Sequence, residues 1–504
     1  MLRESHILLF SIFIAGLCSI IYELLIATTG SYFLGDSITQ FSLTIGVYMA
    51  TMGIGSYLSR WVSEQTLLAQ FIAYELVLAL VGGSCVPVLY FSYAQDLPFQ
   101  FISILLTAVI GVLVGLEIPL LSRLMEKHYS LKANLSNVLS IDYFGALIAT
   151  LVFPLALLPW LGVFKTSLLF GLLNLSIALT LLWYFFQQID SRLRFYLRTA
   201  LVFAFLTLLG LMLFSNHLND KWNESVFDER IVHSQQTPYQ QLIMTKNKND
   251  IRLYLNGGLQ FSSIDEYRYH ESLIHPAMQR HHNVKSVLLL GGGDGLATRE
   301  LLNYPQVQSI TVVDLDPAVA NLAKHNVYLS QLNKQSFLND KVEILHLDAF
   351  VYLSDAQQYF DLIVIDLPDP KTISLARLYS KQFYQMVKSR LTANGIMVTQ
   401  ATSPFFATKA FWSIHNTIAD SGFKKVIPYH VDIPSFGDWG FVIACKARCK
   451  QTTQHLPDTR FYTPELEPAL MIFPADINTR DSKVSSLDKP HVLYYYLEGW
   501  KYWN

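Results

Sequence analysis

Seven apolar stretches crowd the first 215 residues of this chain, at about 6–27, 40–58, 67–93, 99–121, 138–161, 166–186 and 196–214. A helix needs about 20 such residues to cross a bilayer. The first 215 residues therefore read as an α-helical transmembrane bundle of about seven spans. Charge supports the division. The chain has 37 Lys and Arg against 39 Asp and Glu, 15% in all, where a soluble domain carries about 25%. Only 19 of these charges fall in residues 1–215. The first stretch does not read as a cleaved signal peptide, because it is too long, contains Glu23 and precedes six more. A net charge of −2 excludes bulk electrostatic binding of nucleic acid.

Glu23, Glu75, Glu117 and Asp142 fall inside or at the edge of these spans. Ionisable groups at that depth are costly and mark functional candidates. They read either as pairs made across helices or as a cation site in the bundle. Loop charges conflict with substrate supply. Arg3, Arg60, Arg123, Lys127, Lys132, Arg192, Arg194 and Arg198 share the N-terminal side, and Lys165 stands alone opposite. The positive-inside rule then places the N-terminus in the cytoplasm, and seven spans place the rest outside. A re-entrant stretch near Glu75 or Glu117 would remove the conflict, as would an N-terminus outside with the charge rule failing.

Residues 216–237 read as a linker and 238–285 as a small β unit followed by a helix, with 286–450 as an α/β domain and 451–504 as a C-terminal extension. Strands at about 286–290, 310–313, 342–345, 362–365, 396–399 and 441–444 alternate with helical segments, the pattern of a doubly wound parallel sheet. Cys18, Cys85, Cys445 and Cys449 form no disulfide framework and no zinc pattern, and read as buried or idle thiols. No metal site is expected.

In doubly wound sheets the ligand lies beyond the carboxyl ends of the strands. The turn Gly291-Gly292-Gly293-Asp294-Gly295-Leu296 sits there, as do Asp314, Asp348 and Asp366. A dinucleotide fingerprint wants glycine at 296. Asp314, 23 residues after Gly291, suits ribose hydroxyls. This combination favours a nucleoside without pyrophosphate, best an adenosyl sulfonium. Asp294, Asp366 and Asp369 gather on one rim, and a carboxylate-lined pocket selects a cation.

The runs LYLNGGLQFSSIDEYRYHESLIHP, GGGDG, DLPDP, YSKQFY and VTQATSPFF occur in that order. Together they resemble the polyamine aminopropyltransferases, the spermidine synthase family. The tail runs FYTPELEPALMIFPADI and KPHVLYYYLEGWKYW resemble the family's membrane-anchored, multi-pass members. The resemblance implies a class I methyltransferase-like α/β fold and transfer of an aminopropyl group to a diamine, putrescine first. The donor would be decarboxylated S-adenosylmethionine, acting as co-substrate with no permanently bound cofactor. It implies Gln240, Gly291, Gly293, Asp314, Asp348 and Ala349 on the donor, with Asp294 on the donor's amine. Tyr269, His270 and Asp369 would hold the amine acceptor, and Asp366 would accept its proton. Partners are then the two small molecules and the bilayer, with no nucleic acid; a homo-oligomer stays open. The catalytic domain is expected in the cytoplasm, because an adenosyl sulfonium site needs its ligand. Three departures stand out. Leu367 and Pro368 lie between the acids of DLPDP. Lys371-Thr372-Ile373 replaces the usual Gly-Pro, and Asp314 stands where Glu is usual. Tyr379 reads equally as helix-face packing. The competing readings are an S-adenosylmethionine-dependent methyltransferase and a non-catalytic polyamine sensor or transporter.

Overall fold

The computed structural model describes residues 2–34, 37–126, 129–215, 217–218, 222, 229–447, 449 and 456–501. It divides into two compact units, Met1–Glu229 and Arg230–Asn504. The first holds helices α1 (Leu2–Leu34), α2 (Ser37–Leu58), α3 (Leu67–Ala94), α4 (Phe99–Met125), α5 (Leu131–Val152), α6 (Leu158–Tyr184) and α7 (Ser191–Leu213). Six helical stretches among the described residues are long and apolar enough to cross a membrane. The fifth covers 53 residues, Lys132–Tyr184, about 80 Å if straight. It is broken at Gly162, whose φ of 69° and ψ of 176° are not helical. That break falls between the apolar stretches read from the sequence at 138–161 and 166–186. Helices α3 and α4 run for 28 and 27 residues, with Pro87 and Pro119 inside them. Both are long and apolar enough to cross a membrane. Close packing explains the glycines: a Cβ on Gly55 would lie 2.1 Å from the Val112 carbonyl oxygen, and one on Gly115 2.1 Å from that of Met52.

The second unit opens with a four-stranded antiparallel sheet, β1 (Arg230–Gln236), β2 (Gln241–Asn247), β3 (Asp250–Leu255) and β4 (Gly258–Ser262). Strand β1 falls within the expected linker, most of whose remainder lies outside the described residues. Helix α8 (Glu266–Met278) follows. Next come β5 (Ser286–Gly291), α9 (Leu296–Leu302), β6 (Ser309–Val313), α10 (Pro317–His325), β7 (Val342–Leu345), α11 (Ala349–Asp355) and β8 (Phe360–Asp366). The sheet is completed by β9 (Leu391–Gln400), β10 (Lys425–Ile433) and β11 (Gly437–Cys445), with α12 (Lys381–Ser389) and α13 (Thr408–Asp420) between. Helix α14 (His491–Trp500) lies in the tail. The strand order is β10-β11-β9-β8-β5-β6-β7. Five strands are parallel, while β11 pairs antiparallel with both β9 and β10. The expected all-parallel sheet is thus mixed, because β10 and β11 are joined by a short turn that leaves no room for a crossover.

Successive strand residues point to opposite faces. Val287, Leu289, Leu362 and Val364 enter one core, whereas Leu288, Leu290, Ile363 and Ile365 enter the other. The tail joins both cores: Leu470 is buried in the first and Val492 and Leu493 in the second, and the Trp412 indole donates to the Ile477 carbonyl at 2.6 Å. Cys445 and Cys449 are joined in a disulfide, where idle thiols were expected. Their Cα atoms lie 5.8 Å apart, within bonding reach. Cys18 and Cys85 are free and buried.

Candidate active site

The order of the sheet locates the site. From β5 the chain moves outward through β6 and β7, then crosses back to β8 on the other side. Gly291 and Asp366 face each other in register across this switch point, where doubly wound sheets bind ligands. The approach is so close that a Cβ on Gly291 would lie 2.0 Å from the Asp366 carbonyl oxygen, and Gly291 has a φ of 82°. Only glycine fits there. Gly293 donates its N–H to Asp314 at 3.1 Å, and the second Asp314 oxygen accepts from Asp316 N at 3.1 Å. Asp314 is thereby fixed beneath the turn, and burial pushes its carboxyl up to about 6.

Asp366, at the end of β8, accepts a hydrogen bond from the Tyr269 hydroxyl at 2.6 Å. Burial pushes its carboxyl up to about 6; the nearby His270 cation opposes this and the Asp294 charge adds to it. Asp294 accepts from Leu296 N at 2.9 Å. It too is raised, by burial first, with His270 opposing. Tyr269, His270, Asp294 and Asp366 therefore share one electrostatic field. Burial alone would lower the imidazole of His270. The hydrogen bond from Nδ1 to Glu266 at 2.8 Å, together with the charge of Glu266, reverses this, and His270 rises to about 9. Glu266 is itself gripped by both terminal nitrogens of Arg299, each at 2.9 Å.

Asp369 forms a second pole. Gln400 Nε2 lies 3.3 Å from it. The Tyr496 hydroxyl also reaches it, Thr402 and the Lys371 ammonium lie close by, and burial raises its carboxyl to about 6. Tyr379 is fully buried. It braces the DLPDP turn, its hydroxyl meeting the Pro368 carbonyl at 3.0 Å and accepting from Gln400 at 2.6 Å. Gln240 reaches Asp316 at 3.1 Å, which places it at the Asp314 end. Asp348 stands apart. It caps α11 through Phe350 N and Val351 N, at 2.9 and 3.2 Å, pairs with Arg377, and is followed by buried Ala349.

Sequence reasoning overlooked Gln400, Tyr496, Arg299 and Asp316 as members of the site, and marked Lys371 only as a departure from the usual pattern. Gln400 carried a signal, since it ends a buried strand beside the switch point. Tyr496 carried none. Two members of the dense run DEYRYHE are also not aimed at a ligand. Glu266 orders His270 and Arg299, and Glu271 accepts the backbone N–H groups of Arg460, Phe461 and Tyr462 at 2.8, 2.8 and 2.9 Å. In the first unit, Glu75 accepts from Asn174 at 2.8 Å and shares a hydrogen bond with Glu117. This is pairing across helices, and among the described residues no group of metal-binding side chains occurs.

The second unit is a Rossmann-like α/β domain with acidic side chains gathered at the ends of its parallel strands. The comparisons name the kind. Residues 266–455 match the spermine/spermidine synthase domain. A polyamine aminopropyltransferase of Leptospira interrogans is 42% identical over 97% of this chain and 98% of its own length. One from Ralstonia nicotianae is 40% identical over 99% of both, and one from Oceanobacillus iheyensis 39% identical over 99% and 98%. A crystal structure of spermidine synthase with the transition state analogue AdoDATO is 25% identical, covering 50% of this chain and 88% of that one, with a TM-score of 0.45. The chain belongs to the polyamine aminopropyltransferase family and is an enzyme of that class.

Proposed function

We propose that this enzyme moves the aminopropyl group of decarboxylated S-adenosylmethionine to putrescine, giving spermidine and methylthioadenosine. The observation that carries the choice of a diamine is the pair of carboxyl poles, Asp366 with Tyr269 and Asp369 with Gln400, on one turn. Asp314, with Gln240 at its end of the site, takes the ribose side of the donor, and Gly291 and Gly293 let the backbone approach it. Asp348 and Ala349 take the adenine, and Asp294 takes the donor's ammonium. His270 and Tyr269 orient the acceptor.

An alkylammonium has a pKa near that of Lys, about 10.4, and is no nucleophile until it loses a proton. Asp366 holds the ammonium and accepts that proton. The freed nitrogen pair attacks the methylene beside the sulfonium. A C–N bond forms, the C–S bond breaks, and its electron pair stays on sulfur as a neutral thioether. Positioning supplies the remaining gain. The neutral leaving group calls for no oxyanion hole. The test is mass spectrometry of products from purified protein with the decarboxylated donor and a panel of amines. A methylated product, or turnover with S-adenosylmethionine alone, would overturn the reading.

The N-terminal helices are read as seven crossings of the cell membrane, the break at Gly162 dividing the 53-residue stretch in two. The catalytic unit is read as cytoplasmic, where adenosyl donors are made. The two readings together put the N-terminus outside, against the loop-charge rule. A C-terminal alkaline phosphatase fusion that is strongly active, beside a dark fluorescent fusion, would refute the placement.

A further inference from the structure

The two carboxyl poles differ in how they are held. Asp366 faces Tyr269, His270 and Asp294, the end where donor and acceptor react. Asp369 is enclosed by Gln400, Thr402, Tyr496 and Lys371. A carboxylate offers about four acceptor positions; Gln400 donates to one at 3.3 Å, and the Tyr496 hydroxyl reaches the same carboxylate. Gln400 and Thr402 end β9 and follow it. Tyr496 comes from elsewhere, out of the tail beyond the last strand.

The helix that carries Tyr496 is anchored. Val492 and Leu493 of α14 are buried in the second core. Gly499 abuts α13's approach so tightly that a Cβ there would lie 2.7 Å from the Phe406 carbonyl oxygen. Lys409 pairs with Glu498 at 3.1 Å, and the Trp500 and Phe406 rings lie 5.0 Å apart. A helix pinned on both flanks presents its middle residue at a fixed point, and that point is Asp369.

We propose that Tyr496 is a specificity-determining residue for the acceptor. Its ring closes the acceptor pocket behind Asp369, and its hydroxyl occupies the carboxylate position that a far ammonium would use, so short primary diamines are taken over longer polyamines. The inference rests on the reading of Asp369 as the far-amine site.

The experiment compares full-length wild type with Tyr496→Phe, Tyr496→Ala and Tyr496→Trp, on three-, four- and five-carbon diamines and a triamine. Tyr496→Ala should raise the kcat/KM ratio of triamine over four-carbon diamine by about tenfold, roughly 1.4 kcal/mol. Tyr496→Phe should lower the diamine KM with kcat within about threefold, and Tyr496→Trp should penalise the five-carbon diamine most. Donor affinity and the unfolding temperature monitor the fold; if Tyr496→Ala unfolds, the Phe and Trp variants decide. Ratios within about threefold of wild type across the series overturn the proposal. Asp369→Asn separates the two failures. If it raises the diamine KM about tenfold while the Tyr496 series is flat, the tail inference alone falls. If it leaves KM unmoved, the reading of Asp369 falls and takes the inference with it.

Discussion

Asp366→Asn is the most direct test of the catalytic reading, because it changes charge with almost no change of shape. The amide oxygen can still accept from the Tyr269 hydroxyl, now 2.6 Å from Oδ1, and the backbone carbonyl still accepts from Gly292 N at 3.2 Å. What goes is the base and the anion. With its carboxyl pushed up to about 6, Asp366 is roughly nine-tenths ionised at pH 7, so wild type has nearly all of its base available. General-base catalysis is worth about 10²–10⁴-fold, or about 3–5 kcal/mol of barrier. We expect kcat to fall at least about a hundredfold. Donor affinity should stay within about threefold, because Asp314 and the Gly-rich turn keep their bonds. The unfolding temperature should hold or rise, since a buried charge facing Asp294 has been removed. Quenched-flow measurement of methylthioadenosine reads the first, calorimetry the second. A variant that keeps more than about a tenth of wild-type kcat, about 1.4 kcal/mol, would refute the assignment of Asp366 as proton acceptor.

Wild type should bind the decarboxylated donor at least about tenfold tighter than S-adenosylmethionine, whose extra carboxylate meets Asp294 in a poorly solvated pocket. Asp294→Asn should erase the preference, and equal calorimetric affinities in wild type would contradict this. Because burial holds Asp366 and Asp369 up to about 6, kcat/KM for the amine should rise as pH passes about 6. Amine binding near that pH should also release protons, read by calorimetry in two buffers of different ionisation enthalpy. The stability sign is the same for both kinds of group, because each is raised in the native state. Raised acids favour the native state below their ordinary values near 4, and that contribution is lost as pH rises through about 6. His270, raised to about 9, adds stability that is complete below about 6.5 and lost as pH rises through 9. Denaturation curves showing no loss between pH 7 and 10 would refute a charged His270. Glu271→Ala strips an acceptor from three backbone N–H groups, that of Tyr462 buried and those of Arg460 and Phe461 part-buried, and should cost about 2–3 kcal/mol; urea unfolding showing less than about 1 kcal/mol would mean the tail is held by other contacts.

Legibility in the sequence followed how locally each feature is determined. Strands β5 and β8 were readable because a strand buried on both faces is a continuous apolar run. Strand β10 was not, since Pro428 inside it argues against a strand. The proline is tolerated because β10 is the sheet's edge and pairs only with β11. Strand β1, whose residues are exposed or half-buried, lacks the apolar signal altogether. The antiparallel end of the sheet and the Cys445–Cys449 bond both depend on chain reversal, which residue spacing does not encode. In the site, Asp294, Asp314 and Asp366 were legible because strand ends are predictable and buried acids there have a chemical use. Glu266 and Glu271 stand in the same run as Tyr269 and His270, and composition cannot distinguish a carboxylate that meets a ligand from one that meets Arg299 or backbone N–H groups. Tyr496 reaches Asp369 only through tertiary packing of the tail.

The charge balance of the pocket links its structure to its selectivity. Asp294, Asp314, Asp366 and Asp369 are all raised first by burial, so the pocket without ligands cannot ionise them all cheaply. His270 supplies one compensating cation, and it stays charged because Glu266 holds it from behind while Arg299 balances Glu266. Lys371 supplies a second, beside Asp369, and burial lowers its own affinity for the proton. The protein thus compensates its acids only in part. On the proposed assignment, a sulfonium carrying an ammonium and a diammonium acceptor bring the missing positive charge. Their binding completes the ionisation of the acids and releases the protons that remain on them near pH 6. A neutral isostere of either substrate would gain neither the attraction nor the proton release. That coupling is open to carboxyls raised by burial and closed to acids already paired with Arg or Lys.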